Sequence, residues 1–111
     1  MSEKELEKKF TETVRKAGGK AYKFVSPGTS GVPDRLVVMP GNNIGFVELK
    51  ASGKKPRPEQ CYQQRVLENL GCYVCVLDNP ELIDTVIAEI SHYQEDANLA
   101  LAQILEAGGL V

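Results

Sequence analysis

Two short apolar runs separated by a polar segment form the most regular pattern in this chain. Residues 36–39 read LVVM and residues 44–47 read IGFV, while PGNN at 40–43 has the composition of a tight turn. This pattern predicts an antiparallel β-hairpin, which we place within residues 31–50.

Three ionisable residues lie at one end of the predicted hairpin. Glu48 and Lys50 are two positions apart on a strand and therefore project from the same face. Asp34 begins the first strand, and antiparallel pairing brings that position beside the end of the second strand. Two carboxylates and an amine at the end of an apolar hairpin are costly to desolvate unless they bind something, and a divalent cation is the obvious candidate.

Helical and strand periodicity predicts the other elements. They are, in chain order, a helix at 3–17 with Ser2 as its N-cap, a strand at 20–25 and, after the hairpin, a helix at 58–70, a strand at 72–77, a helix at 81–90 and a helix at 92–105 that ends at Gly108-Gly109. The almost wholly apolar strand 72–77 is expected at the centre of the sheet. The third strand, the crossover helix and the fourth strand form a βαβ unit, so these two strands should be parallel.

This order predicts an α/β fold with a small mixed β-sheet flanked by helices and further helices at the C-terminus. At 111 residues the chain is predicted to be a single domain, with a core at about 3–90 and a helical extension at 91–111 that offers apolar surface for a dimer contact. The apolar positions expected to pack the last two core helices are Cys61, Val66, Leu67, Leu70, Leu82, Val86, Ile87 and Ile90.

The composition is that of an ordinary soluble globular protein, with 42% apolar and 25% charged residues. No apolar run approaches the roughly 20 residues that span a bilayer, and the charged N-terminus, MSEKELEKKF, is not a signal peptide. We therefore expect a cytoplasmic protein.

The three cysteines do not predict a disulfide framework, because their number is odd and no export signal accompanies them. Cys72 and Cys75 have the CxxC spacing of a zinc or redox pair. They lie on a predicted strand, however, where positions three apart face opposite sides, and His92 is the one histidine of the chain. We interpret both cysteines as small apolar residues of the core.

Charge is distributed unevenly along the chain, whose net charge is −2. Residues 1–65 hold all 13 Lys and Arg residues with 7 acidic residues, whereas residues 66–111 hold 8 acidic residues and no Lys or Arg. A polyanion such as DNA would meet the basic half and be kept off the other. The alternative is that an acidic helical tail merely keeps the protein in solution.

Two loops flank the three ionisable residues. Residues 26–33, SPGTSGVP, lead into Asp34, and residues 51–57, ASGKKPR, form a basic loop directly after Lys50. The basic loop is either a solvated connector or a phosphate contact, and its position after the carboxylates favours contact. Gln60, in the first turn of the following helix, is expected to point toward the hairpin and to hold a water or a phosphate oxygen.

Hard cations such as Mg²⁺ choose oxygen ligands, commonly one or two carboxylates with water and substrate phosphate. Asp34 and Glu48 suit that role, and the backbone carbonyl of Leu49 is a natural third ligand. A metal here would polarise a phosphodiester, while Lys50 would orient the attacking water, help to deprotonate it or neutralise charge in the transition state. Glu7, at the edge of the apolar stripe of the first helix, is either a surface residue or a ligand through water or of a second ion.

These residues carry a family resemblance. PD at 33–34 followed by ELK at 48–50 matches the signature of the PD-(D/E)XK nucleases, and the order αβββαβ is the restriction-endonuclease-like core of that superfamily. More closely, the runs YKFVSPGTSGVPDRLVV, FVELKASGKKPRPEQ and LENLGCYVCVLDN resemble the VRR-NUC family, whose small stand-alone members occur in phages and bacteria. The resemblance covers about residues 3–90.

The resemblance implies a DNA endonuclease that depends on Mg²⁺, with Mn²⁺ as a substitute. It also implies that this enzyme is similar to the homodimeric resolvases of branched DNA such as Holliday junctions. It implies a metal site at Asp34, Glu48 and the Leu49 carbonyl, to which Glu7, or alternatively Glu3, adds a ligand through water or a second ion. The residues implied as catalytic are Glu7, Asp34, Glu48, Lys50 and Gln60. The predicted nucleic-acid contacts are Lys23, Ser26, Arg35, Lys54, Lys55 and Arg57.

Two other functions fit the same residues. One is a DNA-binding or recruitment module whose carboxylates bind a structural metal without turnover. The other is an interaction protein whose hairpin charges form ordinary salt bridges. DNA cleavage separates the first from a nuclease, and a melting temperature that does not change with Mn²⁺ would support the second.

Overall fold

The computed structural model describes residues 1–108 and contains a mixed four-stranded sheet flanked by helices. Its elements are α1 (Glu3–Lys16), β1 (Lys20–Lys23), β2 (Arg35–Met39), β3 (Asn43–Leu49), α2 (Pro58–Asn69), β4 (Tyr73–Leu77), a 3-10 turn (Pro80–Leu82), α3 (Ile83–Ser91) and α4 (Tyr93–Glu106). The predicted element order and α/β fold class are therefore confirmed. The predicted Gly108-Gly109 end of the last helix lies partly outside the described residues. No helix within residues 1–108 has the length and apolarity needed to cross a membrane.

The strands lie in the order β1-β2-β3-β4. β1, β2 and β3 pair antiparallel, and β3 pairs parallel with β4, as the βαβ unit predicts. The expectation that the last strand is central was wrong, because β4 lies at the edge of the sheet. Its apolar sequence has a different cause, since both α2 and α3 pack against it.

One face of the sheet holds the hydrophobic core. Alternate residues of β2 and β3 point toward α1 and α3 and are buried there, as strand periodicity requires. The predicted N-cap of α1 is confirmed, because the Ser2 hydroxyl accepts a hydrogen bond from the Glu5 N–H over 3.1 Å. The core residues are Leu6, Phe10, Val14, Val37, Met39, Val47, Leu49, Leu77, Ile83, Val86, Ile87 and Ile90.

Two predicted packing faces differ from the observed ones. Leu82 lies in the 3-10 turn and is 45% exposed, and Ile83 takes its place in the core because the α-helix begins only there. In α2, Cys61 and Leu70 are exposed, while the buried residue is the polar Gln60. The inward face of α2 therefore contains Gln60, which was expected to point toward the hairpin, and not Cys61 or Leu70.

Of the two cysteines predicted to be core residues, only Cys75 lies on β4 and packs against the core, since Cys72 precedes the strand. Cys75 packs against the core, and burial raises the pKa of its thiol to about 11. Cys72 is half-buried. The Cys75 thiol is therefore not poised as a reactive group.

The opposite face of the sheet is covered mainly where α2 packs on β4. Cross-strand pairing places the side chains of β1, β2 and β3 on this face in rows. We call the apolar part of these rows the outer sheet face; it consists of Tyr22, Leu36, Val38, Ile44 and Phe46.

Candidate active site

The adjoining ends of β2 and β3 bring Asp34 and Glu48 together. Arg35 pairs with Val47, so the residues one step further along, Asp34 and Glu48, are neighbours across the two strands. The Leu49 N–H donates to Oδ2 of Asp34 over 2.9 Å. The Asp34 carbonyl also accepts from a backbone N–H of the chain that continues β1, over 2.8 Å. Asp34 is thus held on both sides by backbone groups.

The Glu48 carboxylate is buried without compensation. Its side chain has no exposed surface, and within residues 1–108 neither Oε1 nor Oε2 has a hydrogen-bond partner. Burial first, and the neighbouring Asp34 carboxylate second, raise the pKa of Glu48 from 4.5 to about 8, against the opposing charge of Lys50. A carboxylate left in this state indicates a site for a positively charged ligand.

The atoms at this point form an oxygen donor set. In the part of the chain that the structure describes, no three His, Cys, Asp or Glu side chains gather into a metal cluster. A cation here would therefore rely on the Asp34 and Glu48 carboxylates, the Leu49 carbonyl and water. That combination is common for Mg²⁺, and the unsatisfied Glu48 oxygens fit such an ion.

The N-terminal helix adds two carboxylates next to this set. Glu3 and Glu7 line one cavity of about 200 Å³, which also contains Asp34 and Leu49. Glu7 is half-buried and Glu3 is exposed. The structure therefore brings both candidate α1 residues to the site, and Glu7 is the more enclosed of the two.

Arg35 points into the protein. Its Nη2 donates to Oε1 of Glu7, its Nη1 donates to the Ala21 carbonyl over 3.4 Å, and its side chain is 13% exposed. This inward contact with Glu7 is a feature that the sequence analysis missed. The sequence contained a signal for this inward direction. Arg35 lies two positions before the core residue Val37 on β2, so the two side chains point to the same face of the sheet.

Lys50 and Gln60 lie on two different segments, directly after β3 and in the first turn of α2. The Lys50 N–H donates to the Leu77 carbonyl over 3.0 Å, which extends the β3–β4 ladder and keeps the Lys50 side chain on the face of Glu48. Gln60 is buried in the first turn of α2, and its Oε1 accepts from the Arg57 N–H over 2.8 Å. That capping bond occupies the amide oxygen, so the Gln60 amide nitrogen is the group that can donate to a ligand.

Gly31 sets the position of the loop that carries Asp34. Its φ is +89°, and a Cβ at this residue would lie 2.5 Å from the carbonyl oxygen of Glu59 and 3.0 Å from the backbone nitrogen of Gln60. Glycine is therefore required for the loop backbone to touch the first turn of α2. The role of Gly31 was not predicted from the sequence, although its place three positions before Asp34 was the available signal.

Gln64 is a second residue that the sequence analysis missed. Its amide nitrogen is buried, with no hydrogen-bond partner within residues 1–108. Gln64 follows Gln60 by one helical turn, so both amides lie on the same side of α2. This spacing in the sequence could have predicted the inward direction of Gln64.

The remaining predicted nucleic-acid contacts lie in loops and on β1. Lys54 and Lys55 are exposed in the basic loop, and Arg57 is exposed while its Nε donates to Glu59 over 2.7 Å. Lys23 lines the same cavity as Glu7, and Ser26 is half-buried at the start of the loop before Asp34. Their contact with nucleic acid stays a prediction.

Known proteins resemble this chain in sequence and in fold. No protein-family model matches the sequence. "Putative nuclease p44" of Acyrthosiphon pisum secondary endosymbiont phage 1 is 54% identical over 80 residues, which are 72% of this chain and 86% of that protein. A solved structure described as a VRR_NUC domain is 30% identical and superposes with a TM-score of 0.72, over 79% of this chain and 97% of its own. The fold described above thus matches almost the whole of that domain.

Proposed function

This chain belongs to the VRR-NUC family of nucleases, and on that basis we propose that it is a Mg²⁺-dependent DNA endonuclease selective for branched DNA such as four-way junctions. The observation that carries metal dependence is the Glu48 carboxylate, which is fully buried beside Asp34 and has no hydrogen-bond partner within residues 1–108. A divalent cation is the ligand whose charge would offset the cost of burying it.

Asp34 and Glu48 would hold this cation together with the Leu49 carbonyl, and Glu7 would add a contact through water or a second ion. When bound, the cation neutralises phosphate charge and lowers the pKa of a water. The Leu49 N–H keeps the Asp34 carboxylate aimed at the site. The Glu48 side chain is held rigid by its burial.

The other two catalytic residues act on the reacting groups. Lys50 projects from the face of Glu48, where its amine can orient the attacking water and offset the negative charge that grows as the 3′-oxygen leaves. Gln60 can donate its amide N–H to a phosphate oxygen, because its own oxygen is used in the Arg57 contact. Both residues thus act by positioning and charge, and the water attacks in line with the leaving oxygen.

DNA cleavage by purified protein tests this proposal. The wild type is expected to cleave four-way junctions faster than flapped or linear DNA with either Mg²⁺ or Mn²⁺. Asp34→Ala and Lys50→Ala should each slow cleavage by about 10²–10³-fold or more, since each removes a group that stabilises charge at the reacting phosphate. Lys16→Ala, at the exposed last turn of α1, is the control that should keep wild-type activity.

Two results would contradict the proposal. Equal cleavage by the wild type and Asp34→Ala would remove Asp34 from the reaction. DNA binding without cleavage in any divalent metal, unaffected by Glu48→Gln, would instead favour a recruitment module with a structural metal site.

We also propose that the exposed basic residues, and not Arg35, contact the DNA backbone. Each phosphate contact contributes about −0.9 to the slope of log K against log salt concentration. Lys54→Ala and Lys55→Ala should therefore make the slope less steep. Arg35→Met should leave the slope unchanged and reduce cleavage, because its guanidinium binds Glu7 and the Ala21 carbonyl.

Fluorescence anisotropy at a series of KCl concentrations, in chelator so that no DNA is cleaved, measures these slopes. A slope for Arg35→Met that is shallower by about 1 would place the guanidinium on a phosphate and contradict this assignment.

The protein is further proposed to act as a homodimer. A four-way junction has two symmetric scissile positions, which a twofold dimer can reach together. Four exposed apolar residues of α4, Leu99, Leu101, Ile104 and Leu105, support self-association.

A further inference from the structure

The Glu7 carboxylate of α1 is already paired with a cation of its own chain, the guanidinium of Arg35. Nη2 of Arg35 donates to Oε1 of Glu7, and Nη1 donates to the Ala21 carbonyl of β1. The guanidinium is therefore held by two different elements, and its side chain is only 13% exposed. Removing either partner of such a pair leaves the other charge partly buried, so the contact is costly to break.

Glu7 lies beside the Asp34 and Glu48 pair without joining it. Glu7, Asp34 and Leu49 line the same cavity of about 200 Å³. Within residues 1–108, however, no three acidic, His or Cys side chains are placed so that they could hold one metal ion together. Glu7 can therefore reach a cation on Asp34 and Glu48 only through a water, or it must bind a second cation by itself.

The charges on the α1 side of the sheet distinguish these two roles. Cross-strand pairing places Lys23 directly opposite Arg35, so both side chains project toward α1. Lys23 and Arg35 line the cavity together with Glu3 and Glu7, which gives two positive charges against two negative ones. A second divalent cation on Glu7 would meet the guanidinium there, with no unbalanced negative charge to offset the repulsion.

We propose that the site binds a single divalent cation, at Asp34 and Glu48, and that Arg35 occupies Glu7 in place of a second one. This rests on the metal dependence of the proposed function and decides between the two roles that it leaves to Glu7. Glu7 then contacts the cation through a water. Arg35 is a positioning residue, because it fixes the Glu7 carboxylate for that contact and supplies the positive charge that a second ion would otherwise provide.

Counting the Mn²⁺ ions bound per chain tests this without DNA and without cleavage. Electron paramagnetic resonance, which distinguishes free from bound Mn²⁺, should find one ion on the wild type. Arg35→Met removes the guanidinium and should admit a second ion on Glu7, and adding Glu7→Gln to that variant should return the count to one. Arg35→Lys retains the positive charge and should bind one ion, as the wild type does.

Glu7→Gln alone tests the other half of the proposal with Arg35 left in place. It should keep the count at one and weaken Mn²⁺ binding by about tenfold, the effect typical of a residue that acts on a metal through a bound group. Glu48→Gln should instead lose the ion, because it removes a direct ligand. Glu12→Gln, which changes an exposed acid of the same helix, is the matched control and should leave both the count and the affinity unchanged.

The possible results separate this inference from the proposed function. Two ions on the wild type, no second ion on a folded Arg35→Met, or loss of the ion in Glu7→Gln would each overturn the inference and leave metal dependence intact. A wild type that binds no Mn²⁺ would contradict metal dependence itself, and the inference with it. Circular dichroism shows which variants are folded, and Glu7→Gln supplies the decisive count if Arg35→Met is not.

Discussion

Glu48→Gln is expected to stabilise the metal-free protein while abolishing its cleavage of DNA. The wild-type carboxylate is fully buried, and within residues 1–108 it has no hydrogen-bond partner, so its ionised form is penalised in the folded state. The neutral, nearly isosteric glutamine removes that penalty, which we estimate at about 1–3 kcal/mol. The same change removes a cation ligand and should lower cleavage by about 10²–10³-fold or more. A gain in stability with a loss of function is typical of residues placed for a reaction.

The stability that Glu48→Gln gains over the wild type should increase with pH. The pKa of Glu48 is about 8 in the folded protein and 4.5 when the residue is unperturbed, so between these values the folded state holds a proton that the unfolded state has released. Wild-type stability from this group is therefore fully present below pH 4.5 and is lost as the pH rises toward 8. The advantage of Glu48→Gln should be largest above pH 8 and absent below pH 4.5.

Thermal unfolding in EDTA across this pH range measures the effect. Glu12→Gln, which changes an exposed acid of α1, is the matched control and should alter stability by no more than about 0.5 kcal/mol. Adding Mn²⁺ should raise the melting temperature of the wild type and not that of Glu48→Gln. If Glu48→Gln were less stable than the wild type in EDTA above pH 8, the carboxylate would have a favourable contact of its own.

Gly31→Ala should cause a large loss of both stability and activity. Its Cβ would lie 2.5 Å from the Glu59 carbonyl oxygen and 2.6 Å from the Glu59 carbonyl carbon, which are backbone atoms that cannot rotate away. The φ of +89° adds a conformational cost for alanine. We expect a total loss of about 2–5 kcal/mol. Cleavage should fall further than unfolding explains, because the loop that carries Asp34 would move away from Gln60.

Two other glycines separate the causes of this loss. Gly53 also has a positive φ, +81°, but a Cβ there meets nothing within 4 Å, so Gly53→Ala reports the conformational cost alone. Gly28 lies in the same loop as Gly31 and has neither feature, so Gly28→Ala should be close to neutral. Denaturant unfolding gives the three stabilities, and cleavage rates are compared at a temperature where all three variants are folded. If Gly31→Ala cost no more than Gly53→Ala, the contact between the loop and α2 would not exist in solution.

The adjacency of Asp34 and Glu48 was predicted correctly because it depends on local geometry alone. Alternation along β3 placed Glu48 and Lys50 on one face, and the antiparallel turn between β2 and β3 then made Asp34 a neighbour of Glu48. Both arguments need only the strand period and a short turn. The family was indicated separately, by the resemblance of the motifs, and the solved VRR_NUC domain agrees with it.

Contacts that depend on long-range packing were not predicted. Arg35 was predicted to contact DNA, and its contact with Glu7, which is 28 positions away, became visible only in the structure. For α2, periodicity predicted an inward face containing Cys61 and Leu70, which are exposed, whereas Gln60 is buried, in agreement with its expected direction toward the hairpin. A helix of mixed composition offers more than one plausible face, and the choice depends on what lies opposite.

The sequence by itself determined the order of the elements, the hairpin, the pairing of Asp34 with Glu48 and the family to which the chain belongs. Only the tertiary structure decided that β4 is an edge strand and that Glu48 is buried with a raised pKa. The physical reason is that strand and helix periods specify which residues share a face. Burial, pKa and exposure depend on which other element, distant in sequence, covers that face.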